Sequence, residues 1–162
     1  MHEVTKMCDQ WYFAYGSNLS RQQKSDRTGP IREERLVSLM GYRIAFNKRG
    51  KDRRGKANIV PDANDSVWGI VYRCSPTALD EMDVREGVPH GHYRRESVCV
   101  CSESGDELQA IAYIAGDSFI DDSLRPDECY LEIILQGARE HRLPEDYILK
   151  IIRAATRGDW RK

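Results

Sequence analysis

Glu86 is the residue of this sequence best placed to move a proton. It lies in "SPTALDEMDVREG" (75–87), where Ser75 can N-cap a helix, Pro76 suits its first turn and Gly87 can end it. At about 100° per residue, Leu79, Met82 and Glu86 share one stripe flanked by Asp83, and Asp80, Glu81 and Arg85 point elsewhere. A carboxylate on the face that should be buried, in the last turn where the helix dipole opposes an anion, has its pKa pushed up. Such a group suits general acid–base chemistry at neutral pH. The plainer reading is a cap on a surface turn, or an ion pair with an arginine such as Arg94.

A second polar feature opens the chain. "YFAYGSNL" (12–19) starts as a strand and runs into Tyr15-Gly16-Ser17-Asn18, which is turn chemistry. Successive N–H groups of such a turn can form a nest for an anion or an oxyanion, with Ser17 or Asn18 adding side-chain donors. An ordinary turn leaving a strand is the alternative.

Other chemistry-bearing residues carry weaker signals. His90 and His92 alternate in "VPHGHY" with no carboxylate or cysteine cluster nearby, so no metal site is expected. Cys99 and Cys101 would share one strand face and read as small buried hydrophobes. "KRGKDRRGK" (48–56) has six cationic residues in nine but no interleaved aromatics. It reads as a solvated, mobile loop rather than a nucleic-acid surface, with attraction of anionic substrates as a second possibility.

The elements that must position these residues are mostly strands. Six β-like runs occupy 11–15, 42–47, 56–60, 67–74, 93–101 and 108–115, rich in β-branched and aromatic residues. "SESGDE" (102–107) reads as the hairpin turn between the last two. After the helix at 75–87, "DECYLEIILQGARE" (127–140) places Tyr130, Ile133, Ile134, Gly137 and Ala138 on one stripe, with Asp127 as N-cap. "PEDYILKIIRAA" (144–155) repeats the pattern with Tyr147, Ile148, Ile151, Ile152 and Ala155. The expectation is an α+β fold in one domain over 1–162: a small mixed β-barrel with helices packed outside, the last two as a hairpin.

With 25 basic and 26 acidic residues, the net charge of -1 gives no general pull towards nucleic acid or membrane. No apolar run is long enough to span a bilayer, and "MHEVTKMCDQ" lacks a signal-peptide core, so a cytoplasmic protein is expected. Five cysteines at irregular spacing make no disulfide framework.

Taken together, the motifs resemble the γ-glutamylcyclotransferase family. "YFAYGSNL" is similar to its N-terminal substrate-binding loop, "LDEMDVREGVPHGHY" to the segment carrying its catalytic glutamate, "VWGIVY" to the preceding strand, and "YLEIILQGAREHRLPEDYILKI" to its C-terminal helical pair. The resemblance runs from about residue 11 to 155. It implies a γ-glutamylcyclotransferase-like barrel with Glu86 as general acid/base, and with Tyr15, Gly16, Ser17, Asn18 and Leu19 holding the glutamyl end. It also implies that Tyr93, Tyr113 and Tyr130, which otherwise read as core aromatics, line the pocket. The stretch "FNKRGKDRRGKANIV" is more basic than the family pattern.

The implied reaction is cyclisation of a small γ-glutamyl compound to 5-oxoproline with release of an amine or amino acid, needing no metal or cofactor and no partner beyond monomer or homodimer. A variant acting on γ-glutamylamines or on a biosynthetic intermediate, a non-catalytic binding module of the same fold, and an RNA-binding barrel are the alternatives. Retention of Glu86 speaks against the binding module.

Overall fold

The computed structural model describes residues 8–157. Most of the N-terminal stretch read for a signal sequence, through Met7, lies outside the described residues. Five strands close into a barrel: β1 (Gln10–Ala14), β2 (Glu34–Arg49), β3 (Gly55–Cys74), β4 (Tyr93–Ser102) and β5 (Glu107–Ala115). Their order is β1-β3-β2-β4-β5. Every neighbouring pair is antiparallel except β1 and β5, which close the barrel in parallel through Trp11↔Ala110 and Tyr12↔Ile111. Closure leaves no sheet edge to template aggregation.

One expectation is corrected here. The runs at 56–60 and 67–74 are not two strands but parts of the 20-residue β3. "PDANDS" (61–66), which reads as a break, instead pairs with β2 as Tyr42↔Pro61 and Met40↔Ser66. The register shifts between Met40 and Tyr42, where Gly41 takes a φ of 87°. The break is thus a bulge that bends a long hairpin, a conformation glycine adopts without a side-chain penalty.

The basic stretch 48–56 is the tip of this hairpin. Gly50 N–H donates to Arg54 O, Arg53 N–H donates back to Gly50 O, and Arg54 N–H binds the Asp52 carboxylate. The hairpin is clamped at its base. Gly55 N–H donates to Arg125 O, Asp121 N–H to Asn47 O, and Asn47 Nδ2 to Asp122. The expected mobile loop is therefore a built turn, and its first lysine, Lys48, is 5% exposed.

Four helices lie outside the barrel: α1 (Arg21–Thr28), α2 (Pro76–Arg85), α3 (Glu128–Glu140) and α4 (Glu145–Arg157). As expected, Ser75 caps α2 by accepting from Ala78 N–H, and Asp127 caps α3 by accepting from Tyr130 N–H. Helices α3 and α4 contact each other, and α4 packs on β2. On α3, Gly137 meets the opening turn so closely that a Cβ would stand 2.6 Å from Leu19 C and Ser20 N. This contact seats the turn against the helical pair.

The cysteine reading is also corrected. Val98 and Val100 are the buried face of β4, whereas Cys99 is exposed and Cys101 half-buried. Strand alternation puts valine and cysteine on opposite faces, and the valines take the core.

Candidate active site

Where the opening turn, the end of α2 and the β2–β3 hairpin converge, the fold leaves a cavity of about 650 Å³. Glu86 lines it, as do Tyr15, Gly16, Ser17 and Asn18. Glu86 is the C-cap of α2, its N–H donating to Met82 O at 2.8 Å. Leu79 and Met82, each 1% exposed, anchor the helical face that carries it. Gly87 then takes a φ of 67°, and a Cβ there would meet the His92 ring at 2.9 Å, so only glycine turns the chain here without strain.

Burial pushes the Glu86 carboxyl above its ordinary value, and the positive charges of Arg27 and Lys48 partly oppose this. Its ion-pair contact is Arg27 Nη1 at 3.9 Å, not Arg94, which pairs with Glu96 on the strand surface.

The opening turn is a single 3-10 turn, Ser17–Leu19. Its Leu19 and Ser20 N–H groups return to Gly16 O and Ser17 O. Asn18 is 3% exposed and has no donor to spare: Nδ2 donates to Tyr12 Oη at 2.8 Å and points at Met82 Sδ at 3.4 Å. Its Oδ1 accepts from Gln23 Nε2 and Arg27 Nη1. Asn18 is thus a strut joining the turn to α1 and α2. The side-chain donor expected of it is committed, whereas Ser17 Oγ accepts from Gln23 and keeps its own proton.

A model of the AIG2-like family matches residues 66–151. The chain is 32% identical over 145 residues to a γ-glutamylcyclotransferase of Homo sapiens, covering 86% of this chain and 76% of that protein. Identity to the γ-glutamylcyclotransferase of Bos taurus is 31% over the same shares. A solved γ-glutamyl cyclotransferase structure matches with a TM-score of 0.83 at 28% identity, covering 89% of this chain and 86% of that one. This chain belongs to the γ-glutamylcyclotransferase family.

The three tyrosines implied by family resemblance all line the cavity, but their hydroxyls differ. Tyr93 donates its proton to Ala57 O at 2.7 Å. Tyr113 donates to Asp83 Oδ1 at 2.6 Å, and Asp83 is held in turn by Arg95. Tyr15 donates to the Tyr113 carbonyl. Tyr130 instead accepts from Ala57 N–H at 3.0 Å, so its proton remains available to a ligand. Leu19 is fully buried beneath α3 and does not line the cavity.

The cavity also holds residues that sequence reasoning missed: Tyr12, Gln23, Arg27, Lys48 and His92. Helix α1 carries Gln23 and Arg27, and "RQQKSDRT" has no apolar stripe to betray it, since its one buried residue is Lys24. Lys48 had a signal. It follows Ile44 and Phe46 at strand spacing, and both are buried. His92 stacks on Phe119 and contacts Lys48 through Nδ1, which is a packing role rather than half of a metal pair.

Proposed function

We propose that this chain cyclises the γ-glutamyl group of a small γ-glutamyl compound to 5-oxoproline and releases the amine. The α-amine nitrogen attacks the γ-carbonyl carbon, a C–N bond closes the five-membered ring, and the bond to the departing nitrogen breaks. The α-ammonium gives up two protons on its way to the lactam N–H, one before it attacks and one after, and the departing nitrogen takes up two as it leaves as an ammonium. Glu86 relays them one at a time, first as base and then as acid. Nucleophile and electrophile belong to one molecule, so the cavity's main task is to hold them in attack geometry.

The observation that carries this reading is the state of Glu86. It is a carboxyl with a side chain only 17% exposed that lines the same cavity as the Tyr15–Asn18 turn, its pKa raised by burial and held back by Arg27 and Lys48. In this reading the turn, Tyr130 and Tyr12 hold the glutamyl end. Incubation with a panel of γ-glutamyl compounds and detection of 5-oxoproline by mass spectrometry tests it. Formation from at least one compound, in proportion to enzyme, is the expected result. A silent panel would overturn the reading.

A further inference from the structure

Beneath the opening turn lies a buried histidine that does not line the cavity. His141 is the C-cap of α3, and its side chain is 3% exposed. Its Nε2 stands 2.9 Å from Leu19 O. A carbonyl only accepts, so the ring carries a proton on Nε2 and donates it to the turn. The other ring nitrogen, Nδ1, meets Arg21 Nη2 at 3.4 Å. A guanidinium only donates, so Nδ1 is the unprotonated acceptor. Arg21 is aimed in turn by Glu34, whose carboxylate accepts from Nε at 2.9 Å and from Nη2 at 2.5 Å. A second donor works beside the first: Tyr72 Oη donates to Asn18 O at 2.9 Å. Two carbonyls of the turn are therefore gripped by side chains from β3 and from the end of α3.

The groups that face the ring are Arg21 from α1, Glu34 from β2, Tyr72 from β3 and Glu140 from α3. Burial pulls the His141 pKa below the usual histidine value, Glu34 opposes this and Arg21 adds to it. The ring is thus neutral at neutral pH, with the one proton that the turn requires. Packing of Leu19 against Gly137 seats the turn but is non-directional, whereas hydrogen bonds to its carbonyls fix how its peptide groups point.

We propose that His141 is a positioning residue for the cyclotransferase reaction: its Nε2–H, held in that tautomer by Arg21, orients the opening turn and so places the glutamyl end of the substrate. The inference rests on the cyclotransferase reading and goes beyond it, since His141 lies outside the cavity and acts only through the turn.

The test compares wild type with His141→Gln, which keeps an N–H donor at similar reach, and His141→Leu, which has none. In His141→Leu, kcat/KM for 5-oxoproline formation is expected to fall roughly 10- to 100-fold, approaching the cost of a misplacement of about 1 Å, with kcat carrying most of the loss. His141→Gln recovers most of it. Thermal melts of both variants establish that they are folded. A folded His141→Leu with wild-type kcat/KM, or a His141→Gln as impaired as His141→Leu, would overturn the role while leaving the cyclotransferase reading intact. Nitrogen NMR of the imidazole reads the tautomer without any turnover. Wild type is expected to show the Nε2–H form, and Arg21→Met to raise the ring pKa, because a cation that opposes protonation is gone and Glu34 remains. A neutral ring protonated on Nδ1, or a pKa unmoved by Arg21→Met, would overturn the assignment whatever the chemistry. Absence of 5-oxoproline with wild type would overturn the cyclotransferase reading and this role with it.

Discussion

Arg27 Nη1 stands 3.9 Å from Glu86 Oε1 and is itself held by Asn18 Oδ1 at 3.4 Å, so the opening turn sets the distance between the cavity's carboxylate and its nearest cation. Arg27 is the larger of the two influences that hold the Glu86 pKa down against burial. If ionised Glu86 is the base, the acidic limb of the kcat/KM profile reports its pKa. Replacing Arg27 with glutamine removes the opposing charge, so that inflection is expected to move to higher pH. A pH–rate series on the two proteins checks this. An unmoved limb would detach it from Glu86.

Glu86 also makes stability depend on pH in a defined sense. Burial raises its folded-state pKa above the unfolded value of ~4.3. A raised carboxyl favours the folded state fully below the unfolded pKa, and that contribution is lost as pH rises through the folded value. Glutamine has no such dependence. The melting temperature of Glu86→Gln relative to wild type is therefore expected to increase from about pH 4 towards neutrality and then level off. Paired melts across that range measure it. A difference that stays flat would mean the carboxyl titrates alike in both states.

Tyr93 and Tyr130 grip Ala57 with opposite polarity, one donating to its carbonyl and the other accepting from its N–H. Tyr93→Phe leaves a buried carbonyl without its donor, so stability should fall by about 1–3 kcal/mol with a smaller effect on KM. Tyr130→Phe removes the proton still available to a ligand, so kcat/KM should fall on the order of tenfold or more. Melts and steady-state kinetics on both variants separate the two roles. Equal kinetic losses would contradict the distinction.

Much of this site was legible in the sequence, for reasons that particular residues make plain. Glu86 was found by helical periodicity, because Leu79 and Met82 really are the buried face of α2. The turn at Tyr15–Asn18 was found by composition. The barrel followed from the number of short runs rich in β-branched and aromatic residues, although Pro61 and its polar neighbours concealed that β3 is one strand. Arg27 was invisible because α1 buries a lysine rather than an apolar stripe. The commitments of the tyrosine hydroxyls and of Asn18 depend on contacts as far as 98 residues apart in the chain, which no local pattern encodes.

Gly16 has no room for a side chain. A Cβ there would meet Ala57 Cβ at 2.9 Å, because the turn passes directly over β3. Gly16→Ala should push the turn off the strand and displace the groups that hold the glutamyl end. Misplacement of about 1 Å can lower turnover on the order of 100-fold. Ala57→Gly in the same protein removes the obstructing methyl and should recover much of the loss. Kinetics of the single and double variants decide the matter, and a double variant no better than the single would rule out the steric cause.

The most direct test of the account is the turnover of Glu86→Gln. Glutamine keeps the size of the side chain and cannot shuttle a proton. Production of 5-oxoproline should fall by roughly 10²–10⁴ or more, the usual contribution of general acid–base catalysis. Folding should be intact, because a neutral amide avoids the cost of a buried anion. Glu81→Gln, on the exposed face of the same helix, should behave as wild type. A folded Glu86→Gln protein that keeps more than about a tenth of wild-type turnover, well outside that range, would remove Glu86 from the mechanism.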